Sequence, residues 1–318
     1  MNKLNIIKMD GLGNDFIIID NRIEETTLTK DQIISISDRK NIGCDQVIFI
    51  NKASNNDASL KFYNSDGGEI SACGNGSRCV AYYLMNEKNK KEISLQTKSG
   101  ILNAELNNNN LVCINMGQPT FNWEEIPLIK SMDHKNLKIK INKINGEESV
   151  GGFSLSVGNP HVVFFVNKID DFDIRKIGPL IENHKYFPEK CNVTFASIKN
   201  KNHIVVKVWE RGAGLTKACG TAACATVVSA SSLKLAERKA NVEFTEGIIN
   251  INWELSNNIY MTGKYLYVGK YKYDVQELLQ DCSHPGGNDC LIKHLHKNVT
   301  YDYNMHSKKA KQLWNKYR

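Results

Sequence analysis

The sequence has no long apolar run and none of the usual signals for export. No hydrophobic stretch approaches the roughly 20 residues needed to span a bilayer. The opening segment, MNKLNIIKMDGLGNDF, has neither the apolar core nor the small-residue cleavage site of a signal peptide. With 41% hydrophobic and 24% charged residues, the 318-residue chain has an ordinary globular composition. We therefore expect no membrane contact and a cytoplasmic location.

Metal and disulfide frameworks are also missing from the pattern. The chain has nine cysteines but no CxxC pair, and their spacings match no zinc module. In a reducing compartment most of these residues stay as thiols. The sequence shows no lysine motif typical of pyridoxal phosphate enzymes. We therefore predict neither a metal nor a cofactor.

The net charge of +7 does not predict a nucleic-acid partner. Part of the surplus lies in residues 275–318, with seven Lys or Arg against four Asp or Glu. Such a patch can bind nucleic acid or an anionic surface, but a solvated tail is the more common reason for it. Because no DNA- or RNA-binding motif occurs elsewhere, we favour the solvated tail and assign this extension no role.

Two near-copies of one segment indicate an internal repeat. Residues 62–74 read FYNSDGGEISACG and residues 208–220 read VWERGAGLTKACG, which places Cys73 and Cys219 146 positions apart. Gly-Asn at 13–14 falls over Gly-Asn at 158–159, and Gln46 falls over Asn192, at almost the same offset. Recurrent strand–turn–helix patterns without common ancestry are the alternative explanation.

Strand-like runs dominate both halves, and helical candidates are few. We predict helices over 29–38, 77–85, 174–182 and 222–233, and a hairpin whose tip is the Asn run 107–110. This pattern indicates an α+β fold with much antiparallel sheet. The predicted division is an N-terminal half, 1–118, a C-terminal half, 119–274, and the extension 275–318.

Each repeated cysteine precedes a glycine and the start of a predicted helix. Free N–H groups and the helix dipole at such a position bind an anion and lower the pKa of a nearby thiol. Two such helix ends facing one carboxylate would stabilise the charge that develops when an α-proton is removed. One thiolate could then take the proton from Cα while the other thiol delivers a proton to the opposite face, which inverts the stereocentre.

Polar side chains recur at strand ends and turns in both repeated blocks. A single Asn in a turn is usually there for backbone geometry, but recurrence at corresponding places favours a binding role. Arg211 offers a bidentate clamp for a second carboxylate, and Glu210 an acceptor for an ammonium group. The residues in this set are Asn14, Gln46, Asn64, Asn159, Asn192, Glu210 and Arg211.

Taken together, these motifs resemble the diaminopimelate epimerase family over roughly residues 3–274. The resemblance rests on KMDGLGNDF, IGCDQ, FYNSDG and ACGNGSRC in the first half, and on GNPH, CNVTF, WERGAGLTKACGTA and MTG in the second. It implies two structurally similar halves, each a mostly antiparallel β-barrel-like sheet around a central helix, with the active site in the cleft between them. It also implies cofactor-independent interconversion of LL- and meso-diaminopimelate in lysine and peptidoglycan precursor biosynthesis, by a homodimer.

The resemblance also implies residue roles. Cys73 and Cys219 would be the acid/base thiols. The segments that would hold the reacting carboxylate are Gly74-Asn75 and Gly220-Thr221, and those that would hold its amine are Asn64 and Glu210. The distal end of the substrate would be recognised by Asn14, Asn159, Asn192 and Arg211, with Gln46 and His161 lining the pocket. His161 alone would more often be a structural histidine.

Three rival interpretations remain open at this point. A two-cysteine racemase of the same general fold could act on proline or hydroxyproline, but it would leave Arg211 and the asparagines without a task. A relative with the phenazine-biosynthesis isomerase fold would lack the paired cysteines. A non-catalytic protein could instead use Cys73 and Cys219 as a redox-sensing disulfide.

Overall fold

A computed structural model describes residues 3–144 and 146–274. The chain forms two compact units. Unit 1 ends at Asn110 and takes up the chain again from Tyr265, and unit 2 is Leu111–Lys264. The extension 275–318 lies outside the described residues. Within the described residues, no helix is long and apolar enough to cross a membrane.

Unit 1 is built on one mixed sheet. Its described strands are β1 (Lys3–Asp10), β2 (Asp15–Asp20), β3 (Gln46–Asn51), β4 (Ala58–Asn64), β5 (Glu69–Ile70), β6 (Glu92–Thr97), β7 (Gly100–Leu106) and β18 (Leu266–Asp274). They pair in the order β18-β1-β2-β3-β4-β6-β7, and β5 adds to the end of β4. The pairs β2–β3 and β4–β6 are parallel and the others antiparallel.

Unit 2 repeats this arrangement. Its described strands are β8 (Val112–Asn115), β9 (Leu137–Lys143), β10 (Gly146–Ser156), β11 (Pro160–Phe165), β12 (Asn192–Asn200), β13 (His203–Glu210), β14 (Gly214–Thr216), β15 (Lys239–Phe244), β16 (Gly247–Trp253) and β17 (Ile259–Gly263). They pair in the order β9-β10-β11-β12-β13-β15-β16-β17-β8, with β14 added to β13. Again two pairs, β11–β12 and β13–β15, are parallel.

Strand register confirms the predicted repeat. Phe16 pairs with Gln46 in the parallel pair of unit 1, and His161 pairs with Asn192 in that of unit 2. Each unit therefore matches the predicted α+β half with a mostly antiparallel sheet. Among the described pairings neither sheet closes on itself, so each is an open sheet rather than a barrel.

Each unit has one helix between its parallel strands and a longer one after its repeated cysteine. The former are α1 (Lys30–Ser37) and α3 (Ile174–Glu182), and the latter are α2 (Gly74–Lys88) and α4 (Gly220–Ser232). Helix α4 packs against β10 to β12 and against β15 to β17, the strands on either side of β13 in the strand order. The helix is buried from Ala222 to Ala230. This confirms a central helix in unit 2, and α2 likewise packs on β1, β2, β6 and β7.

Helices α2 and α4 begin earlier than predicted, directly after the cysteines. Gly74-Asn75-Gly76 has low helix propensity, so the sequence pattern favours a start at Ser77. Glycine at position 76 lets the first turn of α2 pack closely on the sheet, because a Cβ there would lie 2.6 Å from the Cδ1 of Ile48. The close approach of helix to sheet therefore outweighs propensity.

Two further expectations differ from the structure. The Asn107–Asn110 turn forms, with a bond from the N–H of Asn110 to the oxygen of Asn107, but the strands beside it do not make a hairpin. Strand β7 pairs with β6 and β8 pairs with β17. The compact units consequently change at 110/111 rather than 118/119, and β18 joins unit 1 by pairing with β1.

Candidate active site

In unit 1, Cys73 is the N-cap residue of α2. Its Sγ accepts a hydrogen bond from the backbone N–H of Gly76 at 3.4 Å, so the thiol lies against the positive end of the helix. The thiol also points at the side-chain oxygen of Asn14, 3.8 Å away. Gly74 and Asn75 form the buried first turn of the same helix. Unit 1 thus places a half-buried thiol and several N–H groups at one point.

Asn14 is held through its backbone by a tight turn and through its side chain by a carboxylate. The backbone carbonyl oxygen of Asn14 accepts from the N–H of Gly11 at 2.8 Å, which closes the turn between β1 and β2. Its Nδ2 donates to Oδ2 of Asp45 at 3.1 Å. That bond fixes which end of the amide faces Cys73, because the nitrogen is occupied by the carboxylate.

A network of charges that includes the buried pair Lys8 and Asp15 supports this carboxylate. Asp15 is 1% exposed and accepts from Lys8 and, through both oxygens at 2.7 Å, from Arg39. Arg39 also donates to Asp45 at 2.7 Å. Burial alone would raise the pKa of Asp15, but the Arg39 hydrogen bonds and the charges of Lys8 and Arg39 outweigh it and lower the pKa to about 2. Burial and the charge of Asp15 raise the pKa of Asp45.

Gln46 and Asn64 face each other across the β3–β4 ladder. Nε2 of Gln46 donates to Oδ1 of Asn64 at 3.0 Å, and both side chains are half-buried. The corresponding positions in unit 2 are Asn192 and Glu210. The repeat therefore carries a polar pair at one ladder position in both units, with a charge only in unit 2.

In unit 2, Cys219 is the N-cap residue of α4 and is 6% exposed. Its Sγ lies 3.5 Å from the hydroxyl of Thr221, which is 3.4 Å from Nδ2 of Asn159. Oδ1 of Asn159 is 2.9 Å from Nε2 of His161. Burial, followed by the charge of Arg211, lowers the pKa of His161 to about 3, so this imidazole is neutral. A chain of hydrogen bonds thus connects a buried histidine to the second thiol.

The protonation of Cys219 differs from the sequence expectation. Burial, and next the negative charge of Glu210, raise the pKa of Cys219 well above its ordinary value. The hydroxyl of Thr221 and the N–H of Ala222 act in the opposite direction but do not compensate. The helix N-terminus was expected to lower this pKa. Desolvation and a facing carboxylate outweigh it, so Cys219 is a protonated thiol at neutral pH.

Glu210 and Arg211 lie in the turn that joins β13 to β14. The N–H of Ala213 donates to the oxygen of Glu210 at 3.1 Å, and Gly212 has φ +75°, which is typical of a type II turn. Oε1 of Glu210 accepts from the hydroxyl of Thr216. The guanidinium of Arg211 donates to the carbonyl of Glu189 at 2.9 Å and is otherwise exposed.

Asn192 anchors this turn from the adjacent strand. Its Oδ1 accepts from the N–H of Arg211 at 3.0 Å, and its Nδ2 donates to the oxygen of Pro160 at 3.0 Å. Asn192 is 3% exposed, and His161 is fully buried. Both ends of the Asn192 amide are therefore used inside the protein, as is the Nε2 of His161.

The predicted residues contact one another within each unit. In unit 1, Cys73 lies with Asn14, Gly74 and Asn75, and Gln46 forms a hydrogen-bonded pair with Asn64. In unit 2, Cys219 lies in one cluster with Asn159, His161, Asn192, Glu210, Arg211, Gly220 and Thr221. Asn14 lies beside the thiol of Cys73, and Asn159 is connected to that of Cys219 through Thr221. Across residues 3–144 and 146–274, no group of three or more His, Cys, Asp or Glu is placed to hold a metal ion.

Several residues that shape these clusters were missed by sequence reasoning. Lys8 stands inside an apolar strand run and Asp15 stands directly before one, and charges at such positions signal a buried pair. Arg39, Asp45 and Glu182 carry no such signal, since they lie at helix ends or in loops.

The fold is shared with several solved structures of racemases, epimerases and isomerase-like proteins. A phenazine biosynthesis protein of the PhzF family from Bacillus anthracis aligns at a TM-score of 0.60 and 17% identity, over 86% of this chain and 100% of its own. A hydroxyproline epimerase from Agrobacterium vitis aligns at 0.60 and 13% identity, over 85% and 92%. The fold of this chain is therefore that of these racemase, epimerase and phenazine-biosynthesis structures, and its own site adds a cysteine at a helix N-cap in each unit.

Sequence comparison narrows this class. The sequence model described as "Diaminopimelate epimerase" matches residues 6–122 and 153–268. Curated diaminopimelate epimerases from Pelagibacter ubique and Caulobacter sp. are 55% and 43% identical over 256 and 277 residues, covering 80% and 83% of this chain and 93% and 96% of theirs. The chain belongs to the diaminopimelate epimerase family, which confirms the resemblance read from its motifs.

Proposed function

We propose that this protein interconverts LL- and meso-diaminopimelate, without a cofactor, in lysine and peptidoglycan precursor biosynthesis. The observation that carries the proposal is the placement of Cys73 and Cys219 at equivalent helix N-caps in two repeated units. Family membership supports the substrate, because the relatives with 55% and 43% identity bear that name.

The reaction is an exchange of protons at one α-carbon. A thiolate takes the α-proton, the electron pair of the C–H bond delocalises into the substrate carboxylate, and a thiol gives its proton to the opposite face. The N–H groups at the start of α2 and α4, including those of Asn75 and Thr221, would stabilise the developing negative charge. Each turnover leaves the two cysteines with their protonation states exchanged.

Glu210 would control the protonation of Cys219. Its charge is one cause of the raised pKa of that thiol. A substrate ammonium bound to Glu210 would neutralise this charge and so lower the pKa of Cys219 when substrate is present. Arg211, whose guanidinium is exposed, would bind the distal carboxylate.

The remaining roles follow from contacts within each unit. Asn14 and Asn159 would orient the thiols and the substrate ends near them, and Asn64, paired with Gln46, would accept from the reacting amine. His161 and Asn192 are buried, so they would act by holding Asn159 and Arg211. We propose a cytoplasmic homodimer, as the family resemblance implies; sedimentation velocity at micromolar concentration tests the assembly.

The decisive experiment follows solvent deuterium into the α-position of LL-diaminopimelate. Purified protein is incubated in D2O with a thiol reductant and a chelator, without added cofactor, and the products are separated by stereoisomer. We expect deuterium in newly formed meso isomer. Exchange with proline or hydroxyproline instead would favour the racemase alternative, and no exchange with any of these substrates would contradict the proposal.

Serine variants test the two thiols. Cys73→Ser and Cys219→Ser should each reduce epimerisation by at least about 100-fold, because a hydroxyl is a far weaker acid and base at neutral pH. Cys113→Ser is the matched control, since Cys113 is a buried thiol of strand β8. Near-wild-type turnover in either site variant would contradict a two-thiol mechanism.

A further inference from the structure

Glu182, at the last position of α3, is a buried carboxylate that the proposed reaction does not use. The residue is 6% exposed, and its two oxygens have different partners. Oε2 accepts from the indole N–H of Trp209 at 2.7 Å, and Oε1 accepts from the backbone N–H of Gly212 at 3.1 Å. These two partners bracket Glu210 and Arg211 on the chain. One side chain therefore holds both ends of the turn that carries those two residues.

Helix α3 is shaped for this contact. Gly178 and Glu182 are four residues apart, so they lie on the same face of the helix. A Cβ at position 178 would lie 2.6 Å from the Trp209 ring and 2.9 Å from its Cβ, so glycine at this position allows Trp209 to pack closely against the helix. The ring packs over Gly178 while its N–H reaches Glu182, which fixes both the position and the rotation of Trp209.

The equivalent turn of unit 1 is built without such a carboxylate from a helix. There the N–H of Gly67 bonds to the oxygen of Asn64 at 2.9 Å, as Ala213 does to Glu210. The turn supplies its own acceptor, since Oδ1 of Asp66 accepts from the N–H of Gly68 at 2.8 Å. A buried carboxylate is thus not needed to make this turn in this fold. It is found in unit 2, where the turn presents Glu210 and Arg211.

Burying a carboxylate has a cost that this placement must offset. Removing the group from water is unfavourable unless its oxygens are hydrogen-bonded, and here both are. Nζ of Lys190 lies 3.9 Å from Oε1 of Glu182 and supplies a partial counter-charge. The contact fixes the position of the turn. Asn192 binds the N–H of Arg211 and Glu182 binds the N–H of Gly212, so two successive backbone N–H groups are held.

From this geometry we infer that Glu182 is a positioning residue for substrate recognition, which acts by clamping the 209–212 turn so that Glu210 and Arg211 face the substrate together. The inference rests on the proposed function, because it assigns to that turn the grip on a substrate with two ammonium and two carboxylate groups. Glu182 itself does not touch substrate.

The test combines a kinetic and a structural measurement on the full-length protein. Glu182→Gln keeps the size of the side chain but leaves one acceptor oxygen for two N–H donors. Trp209→Phe keeps an aromatic ring beside Gly178 but removes the indole N–H together with part of the bicyclic ring. Glu243→Gln is the matched control, because Glu243 pairs with His203 at 2.6 Å on strand β15 of the same unit.

We expect Glu182→Gln to raise the KM for LL-diaminopimelate by at least about 10-fold, with a smaller change in kcat, since a misplaced clamp weakens binding before chemistry. Trp209→Phe should raise it less, and the double variant should be non-additive because both changes remove the same bond. Hydrogen–deuterium exchange of the 210–216 segment should accelerate in Glu182→Gln and remain unchanged in Glu243→Gln.

An unchanged KM in Glu182→Gln, or unchanged exchange in the 210–216 segment, would overturn the inference. Failure of the proposed function looks different, because it shows as absence of turnover in the wild-type protein. In that case faster exchange in Glu182→Gln would still establish the clamp, and binding of diaminopimelate measured by calorimetry would replace KM.

Discussion

The buried ion network of unit 1 leads to a quantitative prediction for Asp15→Asn. In the folded protein the pKa of Asp15 is lowered from 3.8 to about 2. At about 1.4 kcal/mol per pKa unit, the ionised side chain adds about 2.5 kcal/mol to the free energy of unfolding at neutral pH. The variant also leaves Lys8, 4% exposed, without its carboxylate, and breaking a buried pair in this way costs about 3 to 5 kcal/mol. The two figures describe the same interaction and are not added, so we expect the free energy of unfolding to fall by about 3 kcal/mol at pH 7.

The sign of the pH dependence follows from the lowered pKa. The stabilisation is fully present above the unfolded pKa of about 4 and is lost as the pH falls through the folded pKa of about 2. The difference between wild type and Asp15→Asn should therefore be constant from pH 7 to pH 5 and narrow towards pH 3.

Urea unfolding followed by circular dichroism measures this difference. Asp170→Asn is the control, because Asp170 pairs with Lys207 at 2.6 Å but its side chain is 87% exposed. We expect that control to change stability by less than about 1 kcal/mol. A loss below about 1 kcal/mol in Asp15→Asn, or a difference that widens on acidification, would refute the assignment of Asp15 as a buried, ionised partner of Lys8 and Arg39.

Three further predictions concern the clusters around the thiols. Arg211→Ala should raise the KM for diaminopimelate on the order of 100-fold and leave the melting temperature unchanged, because the guanidinium is exposed; an unchanged KM would remove Arg211 from the distal clamp. Glu210→Gln should move the pH dependence of Cys219 alkylation to lower pH, since it removes a charge that raises the thiol pKa; an unmoved profile would contradict that cause. Asp45→Asn should lower kcat by about 10-fold with little change in KM, because the Asn14 amide loses the carboxylate that orients it; steady-state kinetics decides this, and wild-type kcat would contradict it.

Much of the fold could be predicted from the sequence because each half of the repeat predicts the same arrangement. The offset between Gln46 and Asn192 in the sequence reappears as equivalent ladder positions in β3 and β12. Strand-like runs bounded by turn signals predicted the strands, but they did not predict which strands pair. The Asn107–Asn110 turn shows this limit, since a local signal for a hairpin was outweighed by the pairing of β8 with β17.

The sequence predicted the residue types of the site but not its electrostatics. Spacing identified both N-cap cysteines, because a helix start has a local signature. The raised pKa of Cys219 depends on burial and on the charge of Glu210. Glu210 and Cys219 become neighbours only when the sheet has formed. For the same reason the contacts of Asp45 and Glu182, which are made with residues far along the chain, leave no trace in a local pattern.

The return of β18 to unit 1 affects the order in which the protein can fold during synthesis. Unit 2 is one continuous stretch, Leu111–Lys264, whereas the sheet of unit 1 needs a strand that begins at Leu266. Domains generally fold in the order in which they leave the ribosome. Here that order is reversed, because the second unit can be complete while β1 still exposes an unpaired edge. Until β18 is made, the nascent chain therefore exposes an edge of β1 that can pair with another chain. A chain terminated at Lys264 would keep this unpaired edge.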